Sequence, residues 1–480
     1  NGNAMTLSSY PMLIGGQRAG CSDSYEVFDP AIDRAFATVP QADAEAVERA
    51  LSAAANAFPQ WSRTTLGERR AIMLRYADLL EQQRDRLIDL LIAETGKPIG
   101  NAEYDFDMLT TCLRFFPEEA ARVKQEVLPD PDGRFLHYTL RQPLGVVVGY
   151  LAWNFPLLNL GYKLGPVLAS GCTAVIKPSH LTPVATLACA ELAIEAGVPA
   201  GVINVITSAS RQVTNLLLES PIPAMVTMIG STEAGIGVMR QAATSVKHFS
   251  VELGGNAPVL VYDDADVEAA ACKTVDLKFT NTGQVCVSPN RCFVHSRVYE
   301  QFLDAAQRRA AQIRLGSGRG TGQLMGPMIT AQARDRVLKI VGCAVEQGAH
   351  VVCGGRKPSE PAEGYWLEPT IVRDVNTRMP LACDEIFGPV LPVIRFDDSD
   401  DEIALANDTK YGLAAYVFTS NLSRGLRAAA GVEAGSVCVN EPHYSVHLPH
   451  GGLKQSGVGK DCSHYSLEEY LTLKRVSVLL

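Results

Sequence analysis

The chain has 480 residues, 47% hydrophobic and 20% charged, the balance of a globular protein with room for about three domains. Its formal net charge is −9 at pH 7 and it carries no long basic run, which argues against a nucleic-acid or anionic-membrane binder. Twelve cysteines occur without a CxxC pair, which argues against a zinc ribbon or a dithiol redox motif and fits reduced thiols in a cytoplasmic protein.

The first four residues, NGNA before Met5, read as an expression remnant, and no secretory signal follows them. The N-terminal part then reads as helices. DAEAVERALSAAANAF (43–58) is Ala-rich and amphipathic, with Asp43 as N-cap. Residues 66–96 form one long helix or two, stopped by Gly96 and Pro98. From residue 145 the rhythm alternates. Strands are expected at 145–153, 172–179, 201–207 and 224–230, and helices at 162–171, 183–197 and just after Ser231. Such alternation is the signature of parallel βαβ units. A second alternating region follows residue 251. It has a helix at 266–281, further helices to about residue 348, and strands at 391–396 and 414–420. The apolar tail 470–480 is β-prone and expected to pair with something, a second subunit included. The most apolar stretch, 144–162, is interrupted by Asn154, Pro156 and Asn159, so a membrane span is not expected.

An open α/β sheet binds ligands at the carboxyl ends of its strands. Those ends carry Asn154, Lys177, Gly230 and Ser231 in the first alternating region, without a GxGxxG loop. Gly230 and Ser231 stand between a strand and a helix, where free N–H groups suit a phosphate, although most such glycines are only turns. Glu252 lies on a near-apolar strand beside two glycines. It is either a salt-bridged strand end or a buried general base. Cys286 follows 34 residues later, enough for one helix to go out and return. A lone cysteine is more often a packed small hydrophobe. As a nucleophile it needs an oxyanion donor, and the candidates are its own amide and Asn154.

Seven motifs occur in order: WNFP (153–156), KPS (177–179), IGSTEAG (229–235), VELGG (251–255), GQVC (283–286), EIFGP (385–389) and HGGLKQSGVGK (450–460). Together they resemble the aldehyde dehydrogenase superfamily from about residue 10 to 475. The resemblance implies an α/β aldehyde dehydrogenase fold: a Rossmann-like cofactor domain (5–119 and 143–254), an α/β catalytic domain (255–455) and a small bridging, oligomerising β element (120–142 and 463–480). It implies NAD(P)-dependent oxidation of an aldehyde. Cys286 would be the nucleophile, and Asn154 with the Cys286 amide would hold the oxyanion. Glu252 would activate the hydrolytic water, and Lys163 would belong to the catalytic surroundings. Cofactor contacts would come from Trp153, Lys177, Ser179, His180, Gly230, Ser231, Glu385 and Phe387. Relatives that pass the acyl group to coenzyme A or phosphate typically lack this glutamate, so hydrolysis to the free acid is implied. A homodimer or homotetramer is implied as well.

Overall likeness is nearest to succinate-semialdehyde dehydrogenases, while residues 440–470 resemble the aminoaldehyde and betaine-aldehyde group. The former usually carry two arginines for the distal carboxylate, at positions held here by Tyr162 and Thr280. A buried carboxylate without a cation is costly. Tyr162, Thr280, Val285, Val287, Tyr444 and His450 would instead line an uncharged, moderately polar pocket for a small hydroxy-, amino- or unsubstituted aldehyde. Succinate-semialdehyde dehydrogenase proper is the alternative. His180 stands where NAD-preferring relatives often carry glutamate, so NADP should be tolerated or preferred. His443, His447 and His450 have the spacing H-x3-H-x2-H, which is no recognised zinc pattern, and no metal is expected. A cofactor-independent thiol esterase or a non-catalytic protein on the same fold are the readings of another class.

Overall fold

The structure, a computed structural model, describes residues 7–322 and 324–480. The reading of residues 1–4 lies outside them. Two large sheets dominate. The first has eight strands in the order Gly457–Val458, His248–Glu252, Pro223–Ile229, Val146–Tyr150, Thr173–Lys177, Ile203–Val205, Met12–Ile14 and Gln17–Ala19. Its five central strands are parallel. The chain lays strands outward from Val146–Tyr150 to Ile203–Val205, then returns to place Pro223–Ile229 on the other side. That reversal is the switch point at which open α/β sheets hold ligands.

The second sheet has seven strands in the order His350–Cys353, Thr370–Arg373, Val390–Phe396, Pro289–His295, Ala257–Val261, Ala414–Phe418 and Ser436–Val439. All but the first pairing are parallel. Each large sheet packs between apolar clusters on both faces, which is why its strands read as continuous apolar runs. A third sheet pairs Leu471–Leu479 along the full length of Phe135–Pro143, with Val127–Leu128 beyond. The tail strand is therefore an edge, and most of its residues are exposed. Among the described residues no helix is long and apolar enough to cross a membrane.

Helix signals placed most elements well. Asp43 caps Ala44–Trp61 by accepting from the Ala46 amide at 2.8 Å. Residues 66–96 form two helices, Leu66–Gln82 and Arg84–Thr95, the second ending on Gly96 in the left-handed region. Residues 8–40, ahead of the first helix named from the sequence, hold five strands, and one expectation is corrected. The helix expected at 162–171 begins at Pro156 and runs to Ser170. All fifteen of its residues are buried, so no polar face marks its first turn.

Candidate active site

The carboxyl ends of the first sheet face the amino ends of the second. Trp153 and Asn154 follow Val146–Tyr150, Gly230 and Ser231 follow Pro223–Ile229, and Glu252 ends its own strand. Opposite them, Cys286 precedes Pro289–His295, and Glu385 and Phe387 precede Val390–Phe396. Two cavities open between these edges. The larger, about 750 Å³, is walled by Trp153, Gly230, Ser231, Glu385 and Phe387. The smaller, about 290 Å³, is walled by Tyr162, Thr280, Val285, Val287, Tyr444 and His450. Both share Asn154, Ile229, Glu252 and Cys286, so the chambers meet at these residues.

The Cys286 loop is held by close backbone contact. Asn281, Thr282 and Gly283 all take positive φ, at 48°, 61° and 69°. For the first two this is a strained choice that the surroundings must enforce. Asn281 Nδ2 donates to the Asn154 carbonyl at 3.0 Å, and Thr282 Oγ1 donates to the Gly326 carbonyl at 2.9 Å. A Cβ on Gly283 would lie 2.2 Å from the Gly388 carbonyl oxygen, and one on Gly255 would lie 2.2 Å from the Cys286 carbonyl oxygen. The backbone on either side of the thiol thus fits only glycine at these contacts.

Asn154 is fixed from three directions. Its Nδ2 donates to the Gln284 carbonyl at 3.0 Å, and its Oδ1 accepts from Asn159 Nδ2 at 3.4 Å. Its backbone carbonyl also accepts from Lys97 Nζ at 2.9 Å. The second hydrogen on Nδ2 remains for a ligand. Lys97 pairs with Asp105 at 2.7 Å, both side chains essentially inaccessible. The other oxygen of Asp105 accepts from the Leu157 and Leu158 amides, in the first turn of Pro156–Ser170. This network was not legible in sequence. Lys97 lies in the turn between Arg84–Thr95 and Ile99–Ala120, and Asp105 on the latter helix, where charged residues usually face water.

Burial, reinforced by the adjacent Glu252 carboxylate and more weakly by Glu385, pushes the Cys286 thiol well above its ordinary range. Glu252 is 5% exposed and its Oε1 makes no hydrogen bond. His450 Nε2 lies 3.5 Å from that oxygen. Glu385 accepts from the Gly255 amide at 3.0 Å, and burial raises its carboxyl to about 7. Arg336, not anticipated, donates to the carbonyls of Glu385 and Ile386 and so pins their loop.

The remaining expected residues lie elsewhere. Lys177, Ser179 and His180 stand at the end of the neighbouring strand, outside the wall of the larger cavity. Burial lowers Lys177 to about 8, and its ammonium makes no ion pair or hydrogen bond among the described residues. Burial, with Lys177 nearby, also lowers His180. Lys163, expected among the catalytic groups, lines neither cavity. Its ammonium is fully buried and donates to both oxygens of Asp461, at 2.7 and 2.9 Å. Asp461 in turn exchanges two backbone hydrogen bonds with His450. Lys163 therefore braces the His450 loop from beneath. The three histidines do not converge either. His447 packs edge-on against Phe115, while His443 lines the smaller cavity. No arginine or lysine lines that cavity among the described residues.

A family model described as the aldehyde dehydrogenase family matches residues 18–476. The chain is 41% identical over 469 residues to the mitochondrial succinate-semialdehyde dehydrogenase of Arabidopsis thaliana, covering 97% of this chain and 88% of that one. It is 38% identical over 479 residues to the NADP(+) succinate-semialdehyde dehydrogenase GabD of Escherichia coli (strain K12), covering 99% of each. Among solved structures, that of an E. coli NADP-dependent enzyme superposes with a TM-score of 0.96 at 37% identity, covering all of both chains.

Proposed function

The chain belongs to the aldehyde dehydrogenase family, and from that premise we propose that it oxidises a small semialdehyde, hydroxyaldehyde or aminoaldehyde to its carboxylic acid with NAD(P). The observation that carries this reading is the meeting of two chambers at Cys286, Glu252 and Asn154. The smaller chamber takes the aldehyde and the larger the cofactor. The fit to a dinucleotide rests on the size of the larger chamber, the Glu385 carboxylate on its wall and Ser231 at the start of the helix Thr232–Ala242. Glu385 and Phe387 would hold the nicotinamide end, with Trp153 edge-on to Phe387. Gly230 and Ser231 would hold a phosphate. Lys177, with Ser179 and His180 beside it, would reach the adenosine ribose. The bound nicotinamide supplies a hydride acceptor.

The chain's own groups do the rest. Glu252 takes the thiol proton, directly or through a water, because burial disfavours a free thiolate at Cys286. Cys286 Sγ attacks the aldehyde carbon. The free Nδ2 hydrogen of Asn154 and the Cys286 amide stabilise the oxyanion of the thiohemiacetal, a task worth about 3–4 kcal/mol per donor in comparable sites. After hydride loss leaves a thioester, Glu252 passes the thiol proton to solvent and then deprotonates the water that hydrolyses it; the C–S bond breaks, the Cys286 sulfur takes the proton back, and the acid departs. Lys163 acts as a positioning residue through Asp461.

With no arginine or lysine on its wall, the smaller chamber favours an uncharged or amino aldehyde over a dicarboxylic semialdehyde. Initial rates of NAD(P)H formation with succinic semialdehyde, aminobutyraldehyde, glycolaldehyde and an aliphatic aldehyde test this. Succinic semialdehyde preferred by more than about tenfold over every neutral or amino aldehyde would refute the pocket argument. Two relatives named above act on that substrate by name, so succinate-semialdehyde dehydrogenase proper is the second reading. On the cofactor, His180 repels no 2′-phosphate, so His180→Glu should move selectivity from NADP toward NAD. The exposed edge strand Leu471–Leu479 supports a homodimer or homotetramer built on sheet extension. The domain division is proposed as 5–119 with 143–254, 255–455, and 120–142 with 463–480.

A further inference from the structure

Cys286 Sγ, a carboxylate oxygen of Glu252 and a ring nitrogen of His450 all lie within 4.8 Å of one another. No other such trio of histidine, cysteine and carboxylate donors gathers among the described residues. Two of the three are the nucleophile and base assigned above. The third is not required by that chemistry.

We propose that Cys286, Glu252 and His450 form a binding site for a zinc-class divalent cation, and that its occupancy reversibly switches the enzyme off. The inhibitory part rests on the reading of Cys286 as the nucleophile.

Four observations support the site. Glu252 Oε1 is buried without a hydrogen-bond partner, a state that normally costs free energy and that a cation would relieve. His450 Nε2 lies 3.5 Å from it, the spacing of two donors on one ion. Zinc bonds of about 2.0 Å to nitrogen or oxygen and 2.3 Å to sulfur put tetrahedral donors roughly 3.3–3.6 Å apart. The trio has to close by little more than about 1 Å to meet that geometry. The donor types also select the metal. Thiolate, imidazole and one carboxylate suit zinc, whereas magnesium and calcium want a shell of oxygens. Finally, the frame is stiff where a site needs it. Glu252 ends a sheet strand, the Cys286 backbone abuts Gly255, and the His450 loop is tied to Asp461 and through it to Lys163. The fourth position faces the junction of the two cavities, through which an ion or water can enter.

The exchange balances simply. The Cys286 S–H bond is replaced by a sulfur–zinc bond, the proton leaves to solvent, and no electron is transferred. While bound, the cation occupies the lone pair that attacks the aldehyde and the carboxylate that activates water. Zinc is therefore a competitive inhibitor against aldehyde.

The test uses metal-stripped full-length enzyme. Zinc chloride should inhibit with a stoichiometry of one per chain, EDTA should restore activity, and rising aldehyde should raise the half-inhibitory concentration. His450→Phe, normalised to its own zinc-free rate, should need about tenfold more zinc or above, since even outer partners of ligands carry that much affinity. Binding is read separately by competition with a chromogenic chelator, and by protection of Cys286 from iodoacetamide in peptide mapping. Cys286→Ser should abolish the stoichiometric binding. Absence of inhibition at zinc well above the enzyme concentration, or equal sensitivity of His450→Phe and wild type, overturns the proposal. If the metal-free enzyme oxidises no aldehyde, the proposed function fails, and the chelator and alkylation readouts still decide the zinc site.

Discussion

Replacing Asp105 by asparagine should damage stability and catalysis together, although Asp105 lines neither cavity. One carboxylate oxygen holds the Lys97 ammonium at 2.7 Å, and the other accepts two amides at the start of the helix Pro156–Ser170. Asparagine keeps one acceptor and turns the other into a donor, so an N–H group must face either an ammonium or an amide. Both side chains are at most 1% exposed, so water cannot repair the mismatch. Breaking a buried pair from one side costs about 3–5 kcal/mol. For a chain of this length the unfolding entropy is about 1 kcal/mol/K, so Tm should fall by about 3–5 °C. Lys97 also donates to the Asn154 carbonyl at 2.9 Å, so the disturbance reaches the side chain proposed to hold the oxyanion. A shift of about 1 Å there can cost about a hundredfold in rate. We expect kcat to fall between about tenfold and a hundredfold, with a smaller change in KM. The double variant Lys97→Met with Asp105→Asn strands no ammonium and should regain most of the Tm. Its kcat should remain low, because the Asn154 carbonyl has lost the Lys97 donor and keeps only Asn281 Nδ2. Scanning calorimetry and steady-state kinetics on the three proteins suffice. A single variant that melts within about 1 °C of wild type with unchanged kcat would refute the reasoning.

Three further outcomes follow from the same geometry. Glu252→Gln should lower the steady-state rate by about 10²–10⁴ and slow the first-turnover formation of NAD(P)H as well, because Glu252 is the base both for the thiol and for the hydrolytic water; stopped-flow absorbance checks this, and an unchanged steady-state rate or a first turnover as fast as wild type contradicts it. Gly255→Ala forces a Cβ to within 2.2 Å of the Cys286 carbonyl oxygen, so the thiol must move and activity should drop by about a hundredfold; a crystal structure of the variant with Cys286 unmoved would count against the contact. Glu385 is raised by burial to about 7, so it ionises on passing above that pH and loses its charge below it. KM for NAD(P) should therefore climb as pH falls through 7, and the Glu385→Gln variant should lack that slope; matching profiles would remove Glu385 from the cofactor site.

The order of motifs along the chain was enough to expect an aldehyde dehydrogenase fold and to single out Cys286, Glu252 and Asn154. Local sequence carries such information because turns, caps and parallel strands have their own chemistry. Asp43 could be seen as a cap, and the alternation after residue 145 marked strands and helices before any contact was known. Six residues of the smaller cavity's wall, Tyr162, Thr280, Val285, Val287, Tyr444 and His450, were named from the resemblance, whereas Tyr104, Phe155, Leu158 and Leu448 also line it and carried no signal that they do.

What sequence could not decide was which buried charges find each other. Lys97 with Asp105, eight residues on, is buried only when the helix Pro156–Ser170 packs over it, and Lys163 meets Asp461, 298 residues away, only in the folded chain. Nothing local distinguishes them from charges that face water. The same holds for His450, whose closeness to Glu252 and Cys286 is set by a loop anchored from beneath. Sequence determined the backbone signals, because those depend on neighbours a few residues away, and the ordered motifs singled out Cys286 as the candidate nucleophile. Tertiary structure alone decided the ion pairs, the strained approach to Cys286 and the donor trio, because desolvation and distance exist only between surfaces that folding brings into contact.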